Sequence, residues 1–153
     1  MFNIGIDFGS TYTTVSAYRN ETEKLETVVL GLGTPYIPTI AGGKVGSLDG
    51  LRYGSAAKGI MGRKDHVLYK AFKMLLTEKK TELLRERGYT EEITPAVVAE
   101  KFLTDLIQRV LEHYGEKEID HVVIGAPEIW FKGVDSLSGR SILRNIFEKM
   151  DCV

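Results

Sequence analysis

Met1-Phe2-Asn3-Ile4-Gly5-Ile6-Asp7-Phe8-Gly9-Ser10-Thr11-Tyr12-Thr13-Thr14 opens the chain, and the fold turns on how these residues are read. Phe2, Ile4, Ile6 and Phe8 alternate with Asn3, Gly5 and Asp7, the period of two that a strand with one buried face requires. Thr13, Val15 and Ala17 resume the alternation after Gly9-Ser10-Thr11-Tyr12, so the pattern predicts a β-hairpin with a polar tip. Hairpin turns ordinarily carry Asn-Gly or Asp-Gly to satisfy backbone geometry. Here the strand delivers a carboxylate, Asp7, to a tip of one glycine and a run of hydroxyls. A nucleotide phosphate tail needs N–H donors that a residue such as Gly9 leaves unobstructed, and short hydroxyls such as those of Ser10 and Thr11. The accompanying Mg2+ takes oxygen ligands and gives up its waters reluctantly, which suits Asp7 directly or through metal-bound water. The plainer reading, a hairpin whose Ser and Thr only form the turn, accounts for the same residues equally well.

Length and composition bound the rest. A chain of 153 residues can bury about 70% of its unfolded surface, enough for a core. Its apolar fraction of 43% and charged fraction of 27% are those of a globular domain. A formal net charge of -1 provides no basic field for nucleic acid or an anionic membrane, so neither is expected as a partner. Met1 leads directly into a strand pattern without a basic leader, no apolar run approaches membrane-spanning length, and the single cysteine, Cys152, has no partner for an internal disulfide. These features predict a cytoplasmic protein, with Cys152 a passive apolar residue. His66, His113 and His121 are dispersed and form no zinc spacing with Cys152.

Leu25 to Leu30 is short enough for a third strand, broken by Gly31-Leu32-Gly33-Thr34-Pro35. That break begins like a dinucleotide fingerprint but has Tyr36 where a third glycine belongs, and Gly43-Lys44 lacks the spaced glycine of a Walker loop. Tyr36 to Ala41 is another extended piece, in which Pro38 predicts an edge position. Gly42, Gly43, Gly46 and Gly50 suggest a turn-rich connection. From Val67 to Arg87 the chain reads as mostly helical, with Leu68, Phe72, Leu75 and Leu76 on one face and Gly88 as the stop. Thr94-Pro95 marks a second helix start, threonine as cap and proline at the first turn, and an apolar face from Val98 to Tyr114 runs up to Gly115. Ile119 to Ile124 reads as a strand ending in Gly125-Ala126-Pro127, and Ser138 to Met150 as a last helix.

Ile4-Gly5-Ile6-Asp7-Phe8-Gly9-Ser10-Thr11 resembles the first phosphate-binding signature of the actin-like ATPase superfamily, and with Tyr12-Thr13-Thr14-Val15-Ser16 it is most similar to the DnaK-type heat-shock chaperones. Tyr36-Ile37-Pro38-Thr39, Tyr53-Gly54-Ser55-Ala56-Ala57-Lys58 and the strand closing in Pro127 resemble later segments of that family in the same order. The resemblance implies an α/β fold, the ribonuclease H-like first lobe of an actin-like ATPase with a mixed sheet and a small, mainly helical subdomain. Its core would comprise residues 1–41 and 115–153, and residues 42–114 a reduced peripheral subdomain and return helix. It implies ATP or ADP with Mg2+ as cofactors, Asp7 as the metal-organising residue, and Gly9, Ser10, Thr11 and Tyr12 as phosphate-binding residues. Lys73 takes the place of the family's catalytic lysine, with Lys70 as the other candidate, and Pro127 that of an interdomain relay.

The implied function is part of an ATP-hydrolysing chaperone with unfolded-protein clients and co-chaperones. An actin-like filament or plasmid-partitioning ATPase, or a sugar or acetate kinase of the superfamily, is the alternative. The second-lobe phosphate loop, Asp-x-Gly-Gly-Gly-Thr, is not found in these 153 residues, so the chain is expected to supply one lobe of a two-lobed site and to be inactive by itself.

Overall fold

The structure is a computed structural model describing residues 1–31, 33–125 and 134–153. The opening alternation forms β1 (Phe2–Phe8) and β2 (Tyr12–Arg19), paired antiparallel with Phe8 opposite Thr13 and Phe2 opposite Arg19. β3 (Lys24–Thr27) pairs antiparallel with the far half of β2, and β4 (Ile37–Pro38) pairs with its near end at Tyr12 and Thr13. β4 thus lies at the sheet edge, where Pro38, which has no N–H to donate, is tolerated. The expected third strand is shorter than its apolar run, though the Val28 amide still donates to the Val15 carbonyl at 2.8 Å.

The second part of the chain differs from its expected form. Ala41 to Lys44 is a strand, β5, which pairs antiparallel with β6 (Arg52–Tyr53) on one side and β7 (His66–Tyr69) on the other. The peripheral region therefore contains a three-stranded sheet, joined by a 3-10 helix at Gly54–Ile60, and the expectation of a mainly helical subdomain is corrected. The glycines that read as turn formers serve close packing. A Cβ on Gly42 would press on Ile60 at 3.2 Å, and one on Gly43 on Leu51 at 2.8 Å.

The expected long helix from Val67 to Arg87 is replaced by β7, a series of turns, and the short α1 (Thr81–Glu86). Its spacing of apolar residues also fits a short buried strand followed by a turn, an ambiguity periodicity alone does not resolve. The chain reverses at Ala71, whose φ is +55°.

α2 (Pro95–Tyr114) begins and ends where its caps predict. The Thr94 side chain accepts from the Val97 amide at 3.2 Å, and Gly115 closes the helix in the left-handed conformation. β8 (His121–Ile124) then runs parallel to β1, so the larger sheet is mixed, in the order β3-β2-β1-β8. α3 (Val134–Glu148) follows, starting earlier than its apolar stripe suggests.

One core joins these elements. Phe2, Ile4, Ile6, Phe8, Val15 and Ala17 from the hairpin are buried together with Val98, Ala99, Phe102, Leu103, Leu106, Ile107 and Val110 of α2. Leu143, Ile146 and Phe147 of α3, with Met150 just beyond it, belong to the same cluster. Asn3, Gly5 and Asp7 alternate onto the opposite face, where Asp7 is exposed. At the other end of the hairpin the Arg19 guanidinium lies 5.6 Å from the Phe2 ring centroid and 5.0 Å from that of Tyr114, with Glu116 at 3.4 Å, tying β2 to the end of α2. Among the described residues no helix is long and apolar enough to cross a membrane.

Phe102 joins the two halves of the core, with ring centroids 6.1 Å from Phe8, 5.4 Å from Phe72 and 6.5 Å from Tyr53. Phe102→Ala is expected to cost about 3–5 kcal/mol of stability, measured by urea denaturation, because the surrounding β-structure cannot collapse into the space left behind.

Candidate functional site

The hairpin tip lies at the end of β1. Asp7 is its last exposed strand residue, Phe8 turns inward with 1% of its surface exposed, and Gly9 to Thr11 make the loop. Gly9 is required by a close approach, since a Cβ there would overlap the carbonyl oxygen of Tyr12. The Gly9 amide donates to the Asp7 carbonyl at 3.1 Å, so this N–H is used to tighten the tip and does not point outward as a spare donor. The exposed polar groups the loop presents are the Ser10 and Thr11 hydroxyls and the Asp7 carboxylate.

Two contacts hold the tip from behind. The Thr39 amide donates to the Thr11 carbonyl at 2.9 Å, and the hydroxyls of Thr13 and Thr39, both fully buried, share a hydrogen bond of 2.8 Å. A buried hydroxyl pair is stable only while both members are present, so these threonines hold the loop against the chain just after β4. Tyr12 is half exposed, with its ring edge-on to Tyr36 at 6.0 Å.

Lys73 comes to this tip from the turn after β7. Phe72 is fully buried, with its ring 6.1 Å from Phe8 and 5.4 Å from Phe102, and this anchor carries the next residue to the hairpin. The Lys73 Nζ lies over the Phe8 ring, 5.7 Å from its centroid. Partial burial lowers the pKa of the ammonium below the ordinary lysine value, and the Asp7 carboxylate opposes that shift. A carboxylate and an ammonium separated by 66 positions in the sequence thus act on each other at one loop. Lys70, the other candidate, is exposed, and its carbonyl accepts from the Tyr89 hydroxyl at 2.9 Å. Pro127 lies outside the described residues.

The site offers one carboxylate, two hydroxyls and one ammonium at the end of a rigid strand. Among the described residues no three His, Cys, Asp or Glu side chains gather as a metal cage. One carboxylate would suffice for a Mg2+ ion that retained most of its waters, and Asp7 is the exposed carboxylate at the tip. Four contributors were read from the sequence as pattern or motif residues and not as site residues: Phe72, Phe8, Thr13 and the Thr39 partner of Thr13. Their only signal was local, an aromatic residue beside each charged one and a threonine on the inward side of the β2 alternation. No protein-family model matches the chain, and no curated protein matches it significantly.

Gly9→Ala is expected to destabilise the protein by more than about 2 kcal/mol and to shift the amide resonances of residues 7–13, as read by denaturation and NMR. Lys73 generates a pH signature. Its folded-state pKa lies below the ordinary 10.5, so the native state binds fewer protons than the unfolded state between those two values, and stability rises with pH through that window. The stabilising contribution is present above 10.5 and lost as pH falls through the lowered value. Lys73→Met should therefore gain stability relative to wild type as pH falls through the window, with a constant difference below it, in thermal melts across the alkaline range.

Proposed function

We propose that this chain is a phosphate-binding lobe of an ATPase of the actin-like superfamily, in the branch resembling DnaK-type chaperones, with ATP or ADP and Mg2+ as its cofactors. The observation that carries the reading is the placement of the Lys73 ammonium over the ring of Phe8, the residue that follows Asp7. The resemblance requires an ammonium at the metal-organising hairpin, and the chain delivers one there from a distant turn. The sheet order supports it too. Three antiparallel strands followed by a strand parallel to the first suit the beginning of a ribonuclease H-like sheet.

In this reading the Ser10 and Thr11 hydroxyls bind the phosphate chain, and Asp7 positions Mg2+ through its waters. Lys73 neutralises charge developing on the transferred phosphoryl group and orients the attacking water, which is electrostatic work suited to a preorganised ammonium. The adenosine and the remaining phosphate contacts fall to a second lobe that closes on the tip, and client proteins and co-chaperones act on the two-lobed whole. Each charge-assisted hydrogen bond contributes about 1.5–3 kcal/mol, against an association cost of about 4–15 kcal/mol. One lobe alone is therefore a weak binder.

Calorimetry of the 153-residue chain with Mg-ATP is expected to show no affinity tighter than about millimolar. Micromolar affinity would refute the half-site reading. At saturating nucleotide, Asp7→Asn and Lys73→Ala should each remove the perturbations that Mg-ATP causes at Ser10 and Thr11 in NMR spectra; unchanged perturbations in both variants would refute the site assignment.

A further inference from the structure

We infer that Phe8 is a positioning residue for Lys73, its ring face fixing the ammonium at the hairpin tip, in place for the phosphate chain of a nucleoside triphosphate. The nucleotide part of this inference rests on the proposed function; the positioning itself does not.

The argument begins from adjacency in the chain. Phe8 directly follows Asp7, and Phe72 directly precedes Lys73. The two rings meet at 6.1 Å, and Phe102 meets both, at 6.1 and 5.4 Å. All three are at least 99% buried. Each charged group is thus one residue from a ring that cannot move independently of the other ring, and their separation is set by packed aromatics. Close-packed interiors transmit such constraints because displacing one ring forfeits contacts of the others.

The backbone adds a second constraint. Ala71 adopts φ +55°, a conformation that costs a non-glycine residue free energy. It makes the reversal that turns Phe72 inward and brings Lys73 over Phe8. The strain persists because Phe72 is locked beneath it.

The ring also answers an electrostatic need. A half-buried ammonium has lost part of its hydration, which favours its neutral form, and a neutral lysine has no use as a phosphate ligand. The face of Phe8 carries the negative lobe of the ring quadrupole toward Nζ, and the Asp7 carboxylate acts in the same direction. A leucine at position 8 would preserve the burial and remove the quadrupole. Lys73 would then be equally desolvated and less compensated.

The test is an NMR titration of 13C-dimethylated lysines in the 153-residue chain without nucleotide, with Lys73 assigned by the signal lost in Lys73→Met. Phe8→Leu is expected to lower the Lys73 pKa by about half a unit to one unit, and Phe8→Tyr, which keeps the ring, to leave it within about two tenths of a unit of wild type. A Phe8→Leu protein that is folded and titrates like wild type overturns the inference. Should Phe8→Leu fail to fold, the wild-type spectrum decides: the Lys73 Cε protons should be shifted upfield by the ring current relative to those of exposed lysines, and an unshifted signal overturns the inference equally. Repeating the wild-type titration with excess Mg-ATP separates the two claims. A Lys73 pKa raised at roughly tens of millimolar Mg-ATP, above the weak affinity expected of one lobe, supports the nucleotide reading, whereas an unchanged one there with the variant effects intact refutes that reading and leaves the positioning role standing.

Discussion

Three buried rings, Phe8 at the end of β1, Phe72 in the turn after β7 and Phe102 in the middle of α2, meet where the larger sheet, the smaller sheet and the long helix converge. Each comes from a different part of the chain. Burying a side chain of this size contributes roughly 1.5–3 kcal/mol through the hydrophobic effect, and aromatic contact adds about 0.5–1.5 kcal/mol per pair. The polar tip depends on this junction because Asp7 and Gly9 flank one ring and Lys73 adjoins another. A polar tip must present charge to solvent without losing its shape, and here its shape is borrowed from the apolar residues directly behind it.

The tip is also fixed on the strand that leaves it. Thr13 and Thr39 bond through buried hydroxyls, and the Thr39 amide holds the Thr11 carbonyl. The outgoing side of the loop is thus secured by polar contacts and the incoming side by aromatic ones. A hairpin of two strands is marginal in water by itself. This one is stabilised by β8 along its other edge and by α2 and α3 over its inner face. Its exposed residues are then free to be chosen for chemistry, which is where Asp7, Ser10 and Thr11 stand.

The strained reversal at Ala71 connects the smaller sheet to the site. β5, β6 and β7 contribute no charged side chain to the tip, yet β7 sets the point from which the chain turns back, and Tyr69, its last residue, is fully buried opposite Ala41. The peripheral sheet is in this sense the bracket for Lys73. Replacing it by a helix of the expected length would carry Lys73 along a regular spiral, with no reason for its ammonium to lie over Phe8.

The opening hairpin, the capped helix from Pro95 to Tyr114 and the strand at His121–Ile124 were legible in the sequence because each rests on short-range rules: alternation, a threonine cap before proline, and a terminal glycine. The mixed α/β class follows from their order. The smaller sheet was not legible. Its glycines serve packing against Leu51 and Ile60, and its apolar spacing fits either a helix or a strand and turn, so only the partners bring out the difference. The carboxylate and hydroxyls of the tip could be read because they are adjacent in the chain. That Lys73 joins them, that the Gly9 amide is spent within the loop, and that three rings govern the geometry are decisions of the tertiary structure. The lysine placement and the ring cluster rest on contacts between residues 30 or more positions apart, and the strength of such contacts depends on burial, which no local stretch of sequence determines.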